Sequence, residues 1–165
     1  MEFQKDVMLR KYAGLRQKYV EPYEPDLSTE GCTVRYARIP DMCLSSDLCS
    51  HRIMLHVEAK KALFPRLYGR LPKGAEPSAY AEMYFDKDDK LHHLVHRVGE
   101  AEYVTIPVSE QLCMDYRVVH TEVVPLVTFL SMEWTEYGSN GEPISVETFQ
   151  TNGRSVMLIS CEYYR

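Results

Sequence analysis

Three histidines, His92, His93 and His96, are the side chains whose type and spacing most suggest chemistry. On a helix, His92 and His96 would lie one turn apart and could bind one metal ion together. On a strand, residues four apart are about 13 Å from each other, too far for both to ligate an ion at about 2.1 Å. Secondary structure therefore decides between a metal pair and a polar strand surface.

The surrounding sequence favours the strand. A polar break at residues 86–90 separates the alternating run 80–85 from the apolar run 91–98, as the turn of a β-hairpin would. In the expected register, the face of Met83 and Phe85 also carries three residues of the second run: Leu91, His93 and Val95. The opposite face is then a polar aromatic strip: Tyr80, Glu82, Tyr84, His92 and His96. We therefore expect no metal site here.

An enzyme or small-ligand carrier is the alternative function for the same residues. A pocket between sheet and helices would use four of them as acid–base groups: His92, His93, His96 and Glu82. The sequence has no Gly-x-Ser-x-Gly nucleophile elbow, and its glycines are scattered instead of forming a phosphate-binding loop. A second His/Cys group departs from the ligand spacing of zinc sites: Cys43, Cys49, His51 and His56. We assign no catalytic residue, metal or cofactor from the sequence.

The twelve tyrosines indicate recognition more than catalysis. Tyrosine offers a large contact area with few rotatable bonds, which favours it in binding surfaces. The leading hypothesis is a small non-catalytic protein, inhibitor-like or immunity-like, that docks a protein partner through a sheet surface rich in Tyr and acidic residues. The candidate binding residues are Tyr80, Glu82, Tyr84, His92, His96, Tyr137 and Tyr163. A net charge of −5 extends the hypothesis to a basic partner.

Nucleic-acid binding is a third hypothesis, and it depends on residues 52–73. This segment is basic, with Phe64 and Tyr68 interleaved, so it could neutralise phosphates and stack on bases. Its cations are Arg52, Lys60, Lys61, Arg66, Arg70 and Lys73. The acidic composition of the whole chain weighs against this function.

Composition predicts a cytoplasmic protein without a membrane partner. Charged residues interrupt every apolar run in the first twenty residues well before a signal-peptide or membrane-spanning length is reached. The five cysteines are an odd number at irregular spacing, which fits reduced thiols better than a disulfide framework. The sequence does not indicate an oligomeric state.

The elements that would position these residues form an α+β fold. Met8, Tyr12, Leu15 and Tyr19 recur at helical spacing, which predicts an N-terminal amphipathic helix. The runs 128–137, 143–150 and 154–164 are separated by turns with Asn-Gly pairs, which predicts a C-terminal three-stranded meander. We expect a curved antiparallel sheet with one or two further helices packed on one face, near residues 59–64 and after Ser109. Residues 1–165 are expected to form a single globular domain with a weak linker at 71–77.

Overall fold

A computed structural model of the chain describes residues 5–38, 67–140, 143–151 and 156–163; for residue 143 and residues 156–163 it describes the backbone. The described part begins with helix α1, Lys5–Leu15, which continues as a π-helical turn, Arg16–Val20. The predicted apolar stripe is the face of the helix that packs on the protein: Tyr12 is buried in the main apolar cluster, and Met8, Leu15 and Tyr19 pack against that cluster. The N-terminal amphipathic helix is therefore confirmed.

A single antiparallel sheet contains all nine strands of the described residues. The strands are β1 Thr33–Arg38, β2 Leu67–Tyr68, β3 Tyr80–Phe85, β4 Leu91–Val98, β5 Ala101–Pro107, β6 Leu112–Val119, β7 Leu126–Tyr137, β8 Pro143–Thr151 and β9 Val156–Tyr163. Their order in the sheet is β2-β1-β3-β4-β5-β6-β7-β8-β9, so each strand from β3 onward pairs with the next one in the chain. An α+β arrangement built mainly on an antiparallel sheet is thus confirmed.

The helix α1 packs on one side of this sheet, which we call the helix face. Residues paired directly across neighbouring strands share a face, and two such rows here are apolar from strand to strand. One row runs Val95, Val104, Tyr116 and Phe129, and the other runs Ile106, Met114, Met132 and Phe149. Tyr12 of α1 meets the second row, its ring centroid lying 5.6 Å from that of Phe149.

The other side of the sheet, which we call the opposite face, has two parts. On β1, β3 and β4 it carries a small apolar cluster: Ala37, Ala81, Met83, Phe85 and Leu94. On β5 to β8 its buried residues are mostly polar. The segment 69–79, which contains the predicted linker at 71–77, connects β2 to β3, and both of these strands pair with β1.

One predicted helix is wrong. Residues 112–119 form strand β6, and Ser109 does not cap a helix. Its hydroxyl instead accepts the backbone N–H of Gln111 and of Leu112 in the turn between β5 and β6. Leu112, Tyr116 and Val119 recur at helical spacing, which favoured a helix, but apolar residues of the same segment also alternate with Asp115 and Arg117, as in a strand. The other predicted helix, near 59–64, lies outside the described residues.

The hairpin predicted at 80–98 is confirmed, but its register is not the expected one. The Asp86 carboxylate accepts the backbone N–H of Asp88 at 2.8 Å and of Lys90 at 3.0 Å, which holds the turn. A β-bulge follows in β4: Tyr84 pairs with His93 and Phe85 pairs with Leu91, so His92 is an extra residue without a partner position on β3. The extra residue changes which side chains share a face, because faces alternate at every residue.

Candidate binding surface

Four tyrosines form a strip at the edge of the helix face, beyond the part of the sheet that α1 covers. Tyr80 and Tyr84 alternate with Glu82 along β3, Tyr36 of β1 pairs with Glu82, and Tyr68 of β2 pairs with Tyr36. All four rings are half-buried. Tyr68 and Tyr80 meet edge to face with their centroids 6.3 Å apart. We call Tyr36, Tyr68, Tyr80 and Tyr84, together with Glu82, the tyrosine strip.

A chain of charged groups borders the tyrosine strip on β4 and β5. Arg97 donates to Glu82 at 2.9 Å and also forms an ion pair with Glu102. Nε2 of His120 lies 3.1 Å from the same Glu102 carboxylate. Tyr84 donates its hydroxyl to Glu82 at 3.2 Å, and burial followed by the nearby Glu82 charge raises the pKa of Tyr84. The acidic groups of this surface are therefore already compensated by Arg97.

Two adjacent histidines connect the strip to the loop after α1. The Nδ1 atoms of His92 and His93 lie 2.6 Å apart, so one of them carries the proton and donates to the other. Nε2 of His92 lies 3.4 Å from a carboxylate oxygen of Asp26. His93 is buried and stacks on the Tyr84 ring at 4.7 Å, with the two planes 10° apart. Burial, reinforced by the charge of His92, lowers the pKa of His93 to about 4.

This arrangement couples the charge of one histidine to the tautomer of the other. When His92 is neutral and directs an Nε2 proton toward Asp26, its Nδ1 accepts and His93 donates through Nδ1. When His92 is protonated, both of its nitrogens carry protons, so its Nδ1 donates and the proton of His93 moves to Nε2. The charge of His92 therefore decides which of the two rings donates the hydrogen bond between their Nδ1 atoms.

His96 is not part of this group. The bulge at His92 places His93 and Val95 with Glu82 and Tyr84, and it places His96 on the opposite face. There His96 is buried, with Nε2 lying 3.2 Å from the backbone oxygen of Ser78. Of the three predicted histidines, the structure thus places His93 beside Glu82 and Tyr84, His92 between His93 and Asp26, and His96 on the opposite face.

Buried polar side chains form a strip on the opposite face, across β5 to β8. Asp115 accepts hydrogen bonds from the hydroxyls of Thr105 at 2.5 Å and Ser131 at 2.8 Å. One row along, Cys113 pairs with Glu133, and Glu133 accepts from Thr148 at 3.5 Å. We call Thr105, Asp115, Ser131, Cys113, Glu133 and Thr148 the buried polar strip. No member is more than a few per cent exposed, so the strip is closed to solvent.

Cys113 is in its unreactive thiol form. Burial, followed by the charges of Asp115 and Glu133, raises its pKa well above the ordinary value. A cysteine nucleophile needs the opposite environment, since the thiolate is the reactive species. The strip therefore offers hydrogen bonding inside the protein and no activated nucleophile.

The remaining predicted residues do not join the tyrosine strip. Tyr137 lies at the end of β7 and is exposed, while Tyr163 lies in β9, where the backbone alone is described. Of the six predicted nucleic-acid contacts, Arg70 and Lys73 are described, and both line an open cleft of about 620 Å³ formed by residues 67–73. The other four lie outside the described residues: Arg52, Lys60, Lys61 and Arg66.

A second surface was missed in the sequence. At the end of the sheet where β4 turns into β5 and β6 into β7, five large aliphatic side chains are exposed: Val98, Val123, Val124, Leu126 and Val127. Val123 is 88% exposed and Leu126 is 59% exposed. We call these five residues the valine rim. Its signal in the sequence is the run Val123-Val124-Pro125-Leu126-Val127, in which no charged residue interrupts the apolar side chains.

Comparison of this chain with known protein families, curated proteins and solved structures gave no match. Among the described residues, no group of three or more His, Cys, Asp or Glu side chains is arranged to hold a metal ion. Neither α1 nor the shorter helical turns of those residues are long and apolar enough to cross a membrane.

Proposed function

We propose that this protein is a small non-catalytic binding protein, inhibitor-like or immunity-like, that docks a protein partner through the tyrosine strip. The observation that carries the proposal is the set of four half-buried tyrosines on one face, with Tyr68 against Tyr80 and Tyr84 against His93. The rings of Tyr68, Tyr80 and Tyr84 are therefore positioned by neighbouring rings before any partner binds. Such preorganisation reduces the entropy lost on binding, which is why rigid aromatic side chains are favoured at interfaces.

Arg97 bears on whether the partner is basic. Because this guanidinium already pairs with Glu82 and Glu102, a basic partner has to compete with it for both carboxylates. An Arg97→Gln variant frees them. We expect this variant to bind a basic partner more tightly at low salt, with the gain lost at high salt. Unchanged affinity would mean that the partner relies on the tyrosine faces and is not recognised by its charge.

Affinity capture from native lysate with quantitative mass spectrometry tests the proposal. The wild-type chain is compared with a Tyr68→Ser, Tyr80→Ser variant and with Tyr137→Ser, a matched control for an exposed tyrosine outside the strip. We expect a stoichiometric protein partner that is recovered by the wild type and the control and lost by the double variant. Recovery of the same proteins by all three, or of no stoichiometric protein at all, would contradict the proposal.

An acid–base enzyme or ligand carrier is the second candidate, and the chain from Asp26 through His92 to His93 favours it. In this function His92 and His93 would relay a proton beside Glu82, with His96 taking no part. A small-molecule fragment screen followed by NMR of the two imidazoles tests it. The expected result is a fragment that shifts both His92 and His93 signals in the wild type and neither in an Asp26→Asn variant. A screen without such a fragment would remove this candidate.

Nucleic-acid binding is the third candidate, supported by Arg70 and Lys73 in the cleft formed by residues 67–73. Fluorescence titration with single- and double-stranded oligonucleotides at low salt is expected to show salt-sensitive binding that an Arg70→Ala, Lys73→Ala variant weakens. Wild-type binding that is absent or insensitive to salt would dismiss it. We further propose a cytoplasmic location, which is supported by Cys32 and Cys113, the two cysteines whose side chains are described, because both are free thiols.

A further inference from the structure

We propose that the valine rim is an interface between two copies of this chain. Four residues paired across neighbouring strands form an unbroken apolar row at this end of the sheet: Val98, Ala101, Val119 and Leu126. Val123 and Val124 extend the row into the loop before β7. A contiguous set of exposed aliphatic side chains on a soluble domain marks an interaction site, whereas scattered ones do not.

The loop that carries the most exposed valines is held in shape by one threonine. The Thr121 hydroxyl donates to the backbone oxygen of Val124 at 2.6 Å. The hydroxyl oxygen of Thr121 in turn accepts the backbone N–H of Val123 and of Val124, each at 3.3 Å. Val123 and Val124 thus lie in a hydrogen-bonded turn, so binding would not have to order them.

The charges beside the rim indicate a second copy as the partner. Arg117 lies two residues inward from Val119 on the same face, is exposed, and forms no ion pair within the described part of the chain. Glu122 is exposed in the loop beyond Val119. The apolar row thus has a cation on its inner flank and a carboxylate on its outer flank.

A surface of this kind is complementary to itself. In a two-fold interface the same patch faces its own copy in the reverse direction, so each Arg117 meets the Glu122 of the other chain while the apolar rows pack together. A purely basic or purely acidic partner would satisfy one flank and be repelled by the other. A lipid surface with negative headgroups would be repelled by Glu122 and by Glu100, which is exposed at the adjacent turn.

Sedimentation velocity over a wide range of protein concentration tests this interface. We expect the wild type to dimerise and a Leu126→Asp variant to stay monomeric at every concentration. Ile144→Asp, a matched control at an exposed aliphatic residue of β8 outside the rim, is expected to dimerise like the wild type. Circular dichroism and urea unfolding check that each variant is folded.

Two charge reversals decide whether the interface is two-fold. Arg117→Glu and Glu122→Arg are each expected to weaken dimerisation by at least about tenfold, because each places like charges opposite each other at both ends. A one-to-one mixture of the two variants should recover a dimer of wild-type stability, since both of its contacts again join Glu to Arg. A mixture that stays monomeric overturns the two-fold interface. A wild type that stays monomeric at every concentration overturns the proposal. Binding of anionic vesicles or of another protein to the rim would not rescue it.

Discussion

The two faces of the sheet differ in chemistry although both are buried at the centre. On the helix face, the row through Ile106 and Met114 is apolar from strand to strand. On the opposite face, the same strands carry Asp115 and Glu133 with their hydroxyl partners, equally closed to solvent. Burial alone therefore does not identify the core. One face stabilises the fold through apolar area, and the other through hydrogen bonds that must all be made.

The helix face also differs from one end to the other. Where α1 covers it, at β5 to β8, Tyr12 and its neighbours complete an apolar core. Beyond Tyr84, toward β1 and β2, the same face carries half-buried tyrosines with hydroxyl groups. If the proposed function is right, this change from a packed core to a half-buried aromatic surface separates the residues that stabilise the fold from those that bind the partner. The predictions below test that contrast.

The largest effect is expected at the centre of the helix face. Phe149 is fully buried against Tyr12, so Phe149→Ala should lower the free energy of unfolding by about 4 kcal/mol. Ile144→Ala, an exposed aliphatic residue on the same strand, serves as the control and should cost far less. Urea unfolding measures both. Similar losses for the two variants would contradict the assignment of this face as the core.

The second effect is a loss of stability in acid caused by His93. Its pKa is about 4 in the folded protein and near 6.5 in the unfolded chain. Between these pH values the unfolded chain therefore binds a proton that the folded protein does not bind. The stabilising contribution is complete above pH 6.5 and is lost as the pH falls toward 4, up to about 3 kcal/mol. Asp26, Glu82 and His92 are the charged groups that act on this imidazole.

The difference between the wild type and His93→Gln isolates this contribution from the other titrating groups. Urea unfolding at a series of pH values should show the wild type losing more stability than the variant between pH 6.5 and 4. Equal pH dependence of the two proteins would mean that His93 is not held neutral by burial.

The third effect concerns the buried polar strip. Asp115→Ala leaves the hydroxyls of Thr105 and Ser131 without their buried acceptor, and we expect a loss of about 2 kcal/mol in the free energy of unfolding. Thr105→Val removes one of these bonds and serves as the matched comparison, with a smaller loss. Unchanged or increased stability of Asp115→Ala would show that this face tolerates an apolar interior.

The smallest effect on stability is expected in the tyrosine strip. Tyr84→Phe keeps the stack on His93 and removes the hydroxyl that donates to Glu82 at a half-exposed position, so we expect a loss of about 0.5 kcal/mol. Thermal unfolding and partner capture together measure this variant. A loss as large as that of Phe149→Ala would place Tyr84 in the core and remove it from the recognition surface.

The sequence predicted elements where local chemistry was strong. The polar residues 86–90 predicted a turn, and the apolar stripe of α1 had the period of a helix. It failed at β6, because Leu112, Tyr116 and Val119 recur at helical spacing although apolar residues of the same segment also alternate with Asp115 and Arg117. Two periods fit this segment, and its pairing with β5 and β7 decides between them.

The candidate site depended on one residue that no local pattern specifies. The bulge at His92 exchanged His96 for His93 beside Glu82 and Tyr84, and cross-strand pairing, not propensity, determines where a bulge lies. Tyr36 and Tyr68 joined the strip for a similar reason, since β1 and β2 pair with each other and β1 with β3. Such contacts become visible when the strand order is known.

Hydroxyl-radical footprinting of the tyrosines, with and without the captured partner, tests the central claim most directly. We expect the partner to reduce oxidation of Tyr36, Tyr68, Tyr80 and Tyr84 while Tyr137 and the valine rim react as before. Protection of Tyr137 or Leu126, with the tyrosine strip oxidised to the same extent as in the free protein, would contradict the account.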